Sequence, residues 1–266
     1  MAQEAAPVKR ILNCSESRKT EDDWGFEHAV QADVVAAPGP LPGAVDLRES
    51  WWQIGDQKET GSCVGWATAD SILRWHFVKA GRLLENELLS VRFIWMAAKE
   101  LDEFVTPATT FIEEAGTSLK AALDVARRYG AVHDSVLPFA TGQLYQGDQK
   151  TFYALAAKLK ITAYFNLHKH LANWRTWLAT QGPILTRLSV DATWDNATDT
   201  QGNLDVYQPE TARGGHAVAL VGYTDDRFIV RNSWGPEWGD QGIGYASVAY
   251  AQAAFTEAYG VSPFVV

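Results

Sequence analysis

GDQKETGSCVGWATADSILRW runs from Gly55 to Trp75 and places one thiol, Cys63, behind a Gly-Ser pair. The residues after this thiol have helical spacing. Ala69, Ile72, Leu73, His76 and Phe77 fall at i, i+3, i+4, i+7 and i+8, which predicts one buried stripe. Ser62 is the expected N-cap and Gly81 the expected stop. A cysteine by itself is usually a small buried hydrophobe. At the first turn of a helix it meets unpaired N–H groups and the positive end of the macrodipole, and both favour a thiolate. With an imidazolium beside it, a cysteine pKa falls to about 3.5–7.5, which makes a nucleophile at neutral pH.

An acid/base partner must then be found among six histidines. His28, His76, His133, His168 and His170 sit in contexts that fit surface or core roles, and no cysteine or carboxylate cluster completes a metal site around the H-x-H pair. His216 differs. It follows Arg213-Gly214-Gly215 and opens the run HAVALVGY, and the paired glycines allow close approach of another backbone. A turn at Thr224-Asp225-Asp226 sends the chain back as RFIVRNSW. His216 lies eight residues before Thr224 and Asn232 eight after it, so antiparallel pairing brings both to one end of the ribbon, in a register the sequence leaves open. Asn232 then has the chemistry to orient the imidazole. Gln57, six residues ahead of Cys63, offers a side-chain amide to an oxyanion.

The rest of the chain sets the frame. Its 266 residues, 47% apolar and 21% charged, suit one large domain or two lobes sharing a core. A formal charge of −9 argues against a nucleic-acid partner, which needs a basic face. No run of about 18 apolar residues is present to span a membrane. With only Cys14 and Cys63, and no apolar stretch of about 7–15 residues behind an N-terminal positive charge, the chain as written reads as cytoplasmic with both thiols reduced. Secretion by another route or a trimmed leader is compatible with the same sequence. Cys14 reads as an ordinary free thiol. Further helices are expected over 86–104, over 119–129 with Ser118 as cap and Gly130 beyond, around 149–159 and over 171–180. After Gly182-Pro183 come the strand-like runs ILTRLSV, HAVALVGY, RFIVRNS and GIGYASV. Helices in front and strands behind predict an α+β fold of two lobes.

Together these residues resemble the papain-like cysteine peptidases. The matching stretches are DQKETGSCVGWA, GGHAVALVGY and RNSWGPEWGDQGIGY, in the family's chain order, with AVDLR (Ala44 to Arg48) similar to its mature N-terminus. The resemblance covers about residues 41–266 and implies a helical lobe over about 44–140, a β-barrel-like lobe over about 141–266 and an active-site cleft between them. It implies Cys63 as nucleophile, His216 as acid/base, Asn232 as orienter, and Gln57 with the Cys63 N–H as oxyanion hole. Trp234 would shield the Asn232–His216 bond and line the substrate site with Gly215, and Trp238 would serve as core or wall. No cofactor or metal is implied, and the partner is a peptide or protein substrate.

Three departures stand out. Thr60-Gly61 replaces the family's cysteine before Gly-Ser-Cys, so its common disulfide cannot form. Val64 stands where an aromatic is usual, with Trp66 two further on. Glu114-Ala115-Gly116-Thr117-Ser118 occupies the region of the family's Gly-Gly strip. A transglutaminase-like or deamidase enzyme is the alternative for the same Cys-His-Asn set, and a non-enzymatic binding module is a third. Residues 1–40 form an N-terminal extension that either contacts the cleft and limits access or packs elsewhere as a tail.

Overall fold

The computed structural model describes residues 9–36, 39–102, 108–140 and 144–263. The expected rod after Ser62 forms but is not uniform. It opens as α2 (Cys63–Gly65), widens into π-type turns over Trp66–Leu73 and tightens again as α3 (Arg74–Lys79). Such widened turns concentrate at functional sites. Ser62 makes no side-chain cap bond, because its hydroxyl pairs with that of Thr60 at 2.6 Å. Gly81 ends the rod at φ +67°, a conformation that suits glycine.

Helix α4 (Val91–Leu101) starts five residues later than expected, at the Ser90 hydroxyl, which accepts the Phe93 N–H at 3.0 Å. The expected end at residue 104 lies outside the described residues. Helix α5 (Leu119–Arg128) has the predicted Ser118 cap, and Gly130 follows at φ +100°. Helix α6 (Gln149–Ala156) continues as a 3-10 turn over Ala157–Leu159, and α7 spans Leu171–Thr180. The helical side of the molecule buries Ile72, Leu73, Phe77, Ile94, Leu119 and Leu123 in one core. Each such side chain contributes roughly 1.5–3 kcal/mol. The core does not stop at the break expected near residue 140, since Phe152 and Leu159 also pack into it.

The sheet has eight strands among the described residues. These are β1 (Val45–Asp46), β2 (Ala163–Asn166), β3 (Ile184–Val190), β4 (Asn203–Leu204), β5 (Gly214–Tyr223), β6 (Arg227–Arg231), β7 (Ile243–Ser247) and β8 (Phe255–Ser262). Their order is β2-β8-β3-β5-β6-β7-β4, with β1 added along β5. The β-barrel-like lobe expected from the resemblance is therefore an open sheet. Among the described residues β2 and β4 are its two ends and do not pair with each other, so the sheet does not close. The overall class is α+β.

The sheet is buried on both faces. Leu185, Ala217 and Ala219 face the helical core, while Ile184, Leu188, Val218 and Leu220 face a second core with Trp174, Trp177, Tyr250 of α8 (Val248–Ala254) and Phe255. The extension joins this second core through Phe26 and Ala29 of α1 (Phe26–Gln31) and through Val35, and the Asn166 N–H donates to the Trp24 carbonyl at 2.7 Å.

One residue controls the register of the central hairpin. Leu220 pairs with Val230 but Gly222 pairs with Ile229, so β5 carries one extra residue, Val221, and the Leu47 N–H donates to its carbonyl at 2.8 Å. Val221 faces the helical core and Tyr223, only two residues on, faces the other. A bulge shifts alternation by one. Below it, even-numbered β5 residues share a face with Phe228 and Val230, which continues to His216 and Asn232. Were Val221 paired with Val230 instead of bulged out, Ala217 would stand where His216 does.

Candidate active site

Cys63, Gln57, His216 and Asn232 converge, all buried. The His216 Nε2 lies 2.8 Å from Asn232 Oδ1, and the same oxygen accepts the Ser233 backbone N–H at 2.8 Å. A backbone N–H only donates, so the amide atom it meets is oxygen, and an oxygen can only accept from Nε2. The imidazole therefore carries its Nε2 proton toward Asn232, and its buried Nδ1 has no hydrogen-bond partner among the described residues. The Cys63 thiol is held well below its ordinary range. Its largest support is a hydrogen bond from Cys14; burial opposes this, and His216 and the Ala217 N–H add to the lowering.

Gln57 is held by both lobes. Its N–H donates to the Ser233 carbonyl at 2.8 Å and its Oε1 accepts from Ser233 Oγ at 2.9 Å. One Nε2 hydrogen goes to the Thr60 carbonyl at 3.0 Å, leaving the second for another acceptor. Asp56 pairs with Trp234 in the same antiparallel crossing. The lobes are further joined by a buried ion cluster. Asp70 accepts from Arg231 of β6 at 2.7 Å and from Arg74 at 3.2 Å, and Arg231 lies over the Trp52 ring at 4.6 Å.

Trp234 packs on the His216 ring with centroids 4.9 Å apart, and Gly215 sits one residue away on β5. Sequence reasoning missed Trp194. Its ring meets His216 edge-on at 5.6 Å, Trp234 at 5.2 Å and Trp238 at 4.8 Å, so His216 stands in an aromatic box. Tyr250 Oη accepts from Trp194 Nε1 at 2.9 Å and donates to Asp191 Oδ1 at 2.6 Å, which fixes Trp194. Asp191 and Trp194 stand in the irregular stretch DATWDN, where no periodicity marks them.

Residues 10–17 run between the two walls. Cys14 donates its N–H to the Gly215 carbonyl at 3.0 Å, and Ser15 donates to the Thr117 carbonyl at 3.1 Å. Arg187 Nε donates to the Cys14 carbonyl at 3.0 Å, and the Asn13 side-chain amide donates to the Glu114 carbonyl. Arg10 bonds Asp56 at 2.7 Å and the Trp234 carbonyl at 2.8 Å. A methyl on Gly116 would overlap the Asn13 carbonyl, and one on Gly215 would overlap that of Cys14. Cys14, expected to be an ordinary thiol, faces Cys63; burial first, then the Cys63 sulfur, pushes its pKa up.

The model of the papain family cysteine proteases matches residues 41–262. The chain belongs to that family. A cathepsin L-like proteinase of Fasciola hepatica is 25% identical over 212 residues, covering 76% of this chain and 59% of its own, so the chain spans about three-fifths of that relative's length. Among solved structures, xylellain, a cysteine protease from Xylella fastidiosa, superposes with a TM-score of 0.77 at 21% identity, covering 98% of this chain and 100% of its own. A digestive procathepsin L 3 of the Tenebrio molitor larval midgut gives 0.64 at 17% identity over 95% of this chain and 77% of its own. These two likenesses bear on the fold, and the family membership rests on the sequence match. Among the described residues, no group of three His, Cys, Asp or Glu side chains is disposed to hold a metal, and no helix is long and apolar enough to cross a membrane.

Proposed function

We infer that this chain hydrolyses peptide bonds with Cys63 as nucleophile, and that residues 10–17 hold the enzyme closed. The observation that carries the first part is the line Asn232–His216–Cys63, with the His216 proton on Nε2 and the Cys63 thiol held low. The Cys63 proton passes to His216 Nδ1, and the thiolate attacks the peptide carbonyl carbon. The carbonyl electron pair moves to oxygen, where the second Gln57 Nε2 hydrogen and the Cys63 N–H receive it. As the C–N bond breaks, His216 gives its Nδ1 proton to the leaving amine. A water, deprotonated by His216, then attacks the thioester and releases the acid and Cys63. Asn232 and the aromatic box keep the ring in line. The relatives named above are proteinases and peptidase precursors, and none is a transglutaminase or deamidase.

The second part rests on where the extension runs. Cys63 is fully buried under residues 12–15, and the strip Gly116–Ser118 and Gly215, surfaces a substrate backbone would use, bond the extension instead. A fluorogenic peptide assay tests both parts. Cys63→Ala should abolish turnover, by ~10⁴-fold or more. Thiolate is present above the lowered Cys63 pKa and lost below it, so wild-type activity should persist well beneath the usual thiol range and fade as pH falls through that value. Arg10→Ala combined with Ser15→Pro removes the Asp56 and Thr117 bonds and leaves residues 23–35 intact. That double variant should cleave faster than wild type, and an unchanged rate would refute the closed reading.

A further inference from the structure

The extension brings no carbonyl carbon to the nucleophile. The Cys14 carbonyl is held by Arg187 and its N–H by Gly215, so the group it extends toward Cys63 is its side chain. The two thiols face each other, both buried and both unbridged, and the Cys14 thiol donates to the Ser15 carbonyl at 3.7 Å. Of the groups that lower the Cys63 pKa, His216 and the Ala217 N–H belong to the peptidase body, and Cys14 is the only other thiol in the chain. A hydroxyl or amide at residue 14 would fill the cleft as well. A thiol adds a chemistry neither has.

We propose that Cys14 and Cys63 form a reversible disulfide under peroxide, locking the extension into the cleft and shielding the nucleophile from irreversible oxidation. This rests on the reading of Cys63 as the nucleophile. The Cys63 thiolate attacks one peroxide oxygen, the O–O bond breaks, hydroxide leaves and Cys63 becomes a sulfenic acid. The Cys14 sulfur then attacks the Cys63 sulfur. The S–O bond breaks, the Cys14 proton goes to the departing hydroxide as water, and the S–S bond forms. Two electrons pass from the thiol pair to hydrogen peroxide, and a small thiol pair returns them on reduction. An S–S bond of about 2.05 Å requires the two facing sulfurs to close on each other. The low thiol, Cys63, is the one that reacts first, and the raised one, Cys14, resolves it. Backbone bonds at Cys14 and Ser15 on either wall hold the resolving sulfur at its target, so the second step is intramolecular.

Reduced full-length protein is exposed to hydrogen peroxide, then split for intact mass, peptide mapping without reductant, and turnover before and after dithiothreitol. Wild type should lose two hydrogens, yield one linked peptide pair containing Cys14 and Cys63, and regain most of its turnover with thiol. Cys14→Ser should instead add two or three oxygens at Cys63 and stay inactive after thiol, because nothing resolves the sulfenic acid. Oxygenated Cys63 without a link in wild type, or equal recovery in both proteins, overturns the proposal. The Arg10→Ala, Ser15→Pro comparison keeps the two ideas apart. A link in wild type with no change of rate in that variant removes the blocking role and leaves the disulfide, and a faster variant with no link in wild type does the reverse.

Discussion

The two walls of the cleft meet the same demand, a fixed reactive side chain, by different means. On the helical wall, Cys63 begins a rod whose apolar stripe, Ile72, Leu73 and Phe77, sinks into a core built by several helices and one face of the sheet. On the sheet wall, His216 and Asn232 are aligned by backbone pairing between strands, and their shared face depends on the single extra residue Val221. The helical wall tolerates small errors because packing is spread over many contacts. A sheet slip is all or none, since one residue moves every side chain to the other face. A few cross-lobe bonds hold the two solutions together, and they are where the contrast can be tested.

The largest effect is expected at Asp70, the carboxylate between Arg74 of the helical wall and Arg231 of the sheet wall. Burial works against the Arg231 charge, and Asp70 opposes that loss. Asp70→Asn leaves two buried guanidinium groups side by side and should cost about 3–5 kcal/mol in urea unfolding. A loss below about 1 kcal/mol would mean the walls are joined by packing alone. Gln57→Ala removes the amide that leans on Ser233 across the cleft and should lower kcat ~10²–10³-fold while KM changes less. A larger change in KM would make Gln57 a binding group.

The smallest effect is a pH dependence from His76, which packs beside Gly182 just ahead of β3. Burial alone pulls His76 from 6.5 to about 4. The unfolded chain takes up this proton near 6.5 and the folded chain does not until about 4. The stability His76 leaves intact above 6.5 is therefore lost as pH falls between those values, by about 3 kcal/mol in all. Urea midpoints at neutral pH and near the lower value, for wild type and His76→Leu, should show a shallower acid loss in the variant. Parallel losses would assign the slope to other groups.

The same contrast explains what the sequence can disclose. Helices α5 and α7 are legible to within a residue because the signals that bound them, a cap and a 3.6-residue stripe in α5 and a glycine beyond each end, lie close to the segment. The rod after Cys63 is legible as a helix, but the fate of its Ser62 cap is not, because Thr60 takes the hydroxyl from two residues away. The strands of the central hairpin announce themselves, yet β2 and β8 do not, since AYFN and FTEAYGVS become strands only through each other and β3. Cys63, His216, Asn232 and Gln57 are readable as a set because each carries a scarce chemistry in order. The face shared by His216 and Asn232 is not, because Val221 looks like any other valine. Contact of the extension with the cleft is one of two readings the sequence allows, but that residues 10–17 make it is not legible, for a related reason. At Cys14 and Ser15 the extension is fastened by main-chain bonds, which leave no pattern in side-chain type.

The extension is fastened by its second half. Phe26, Ala29 and Val35 are sunk in the sheet-side core, and Tyr259 donates to Asp23 at 2.8 Å. If residues 10–17 are released from the cleft, as the double variant is designed to do, they stay tethered a few residues away, at an effective concentration of order mM for so short a leash. Dilution cannot empty this site, and a free peptide competitor must displace a ligand that never leaves the molecule.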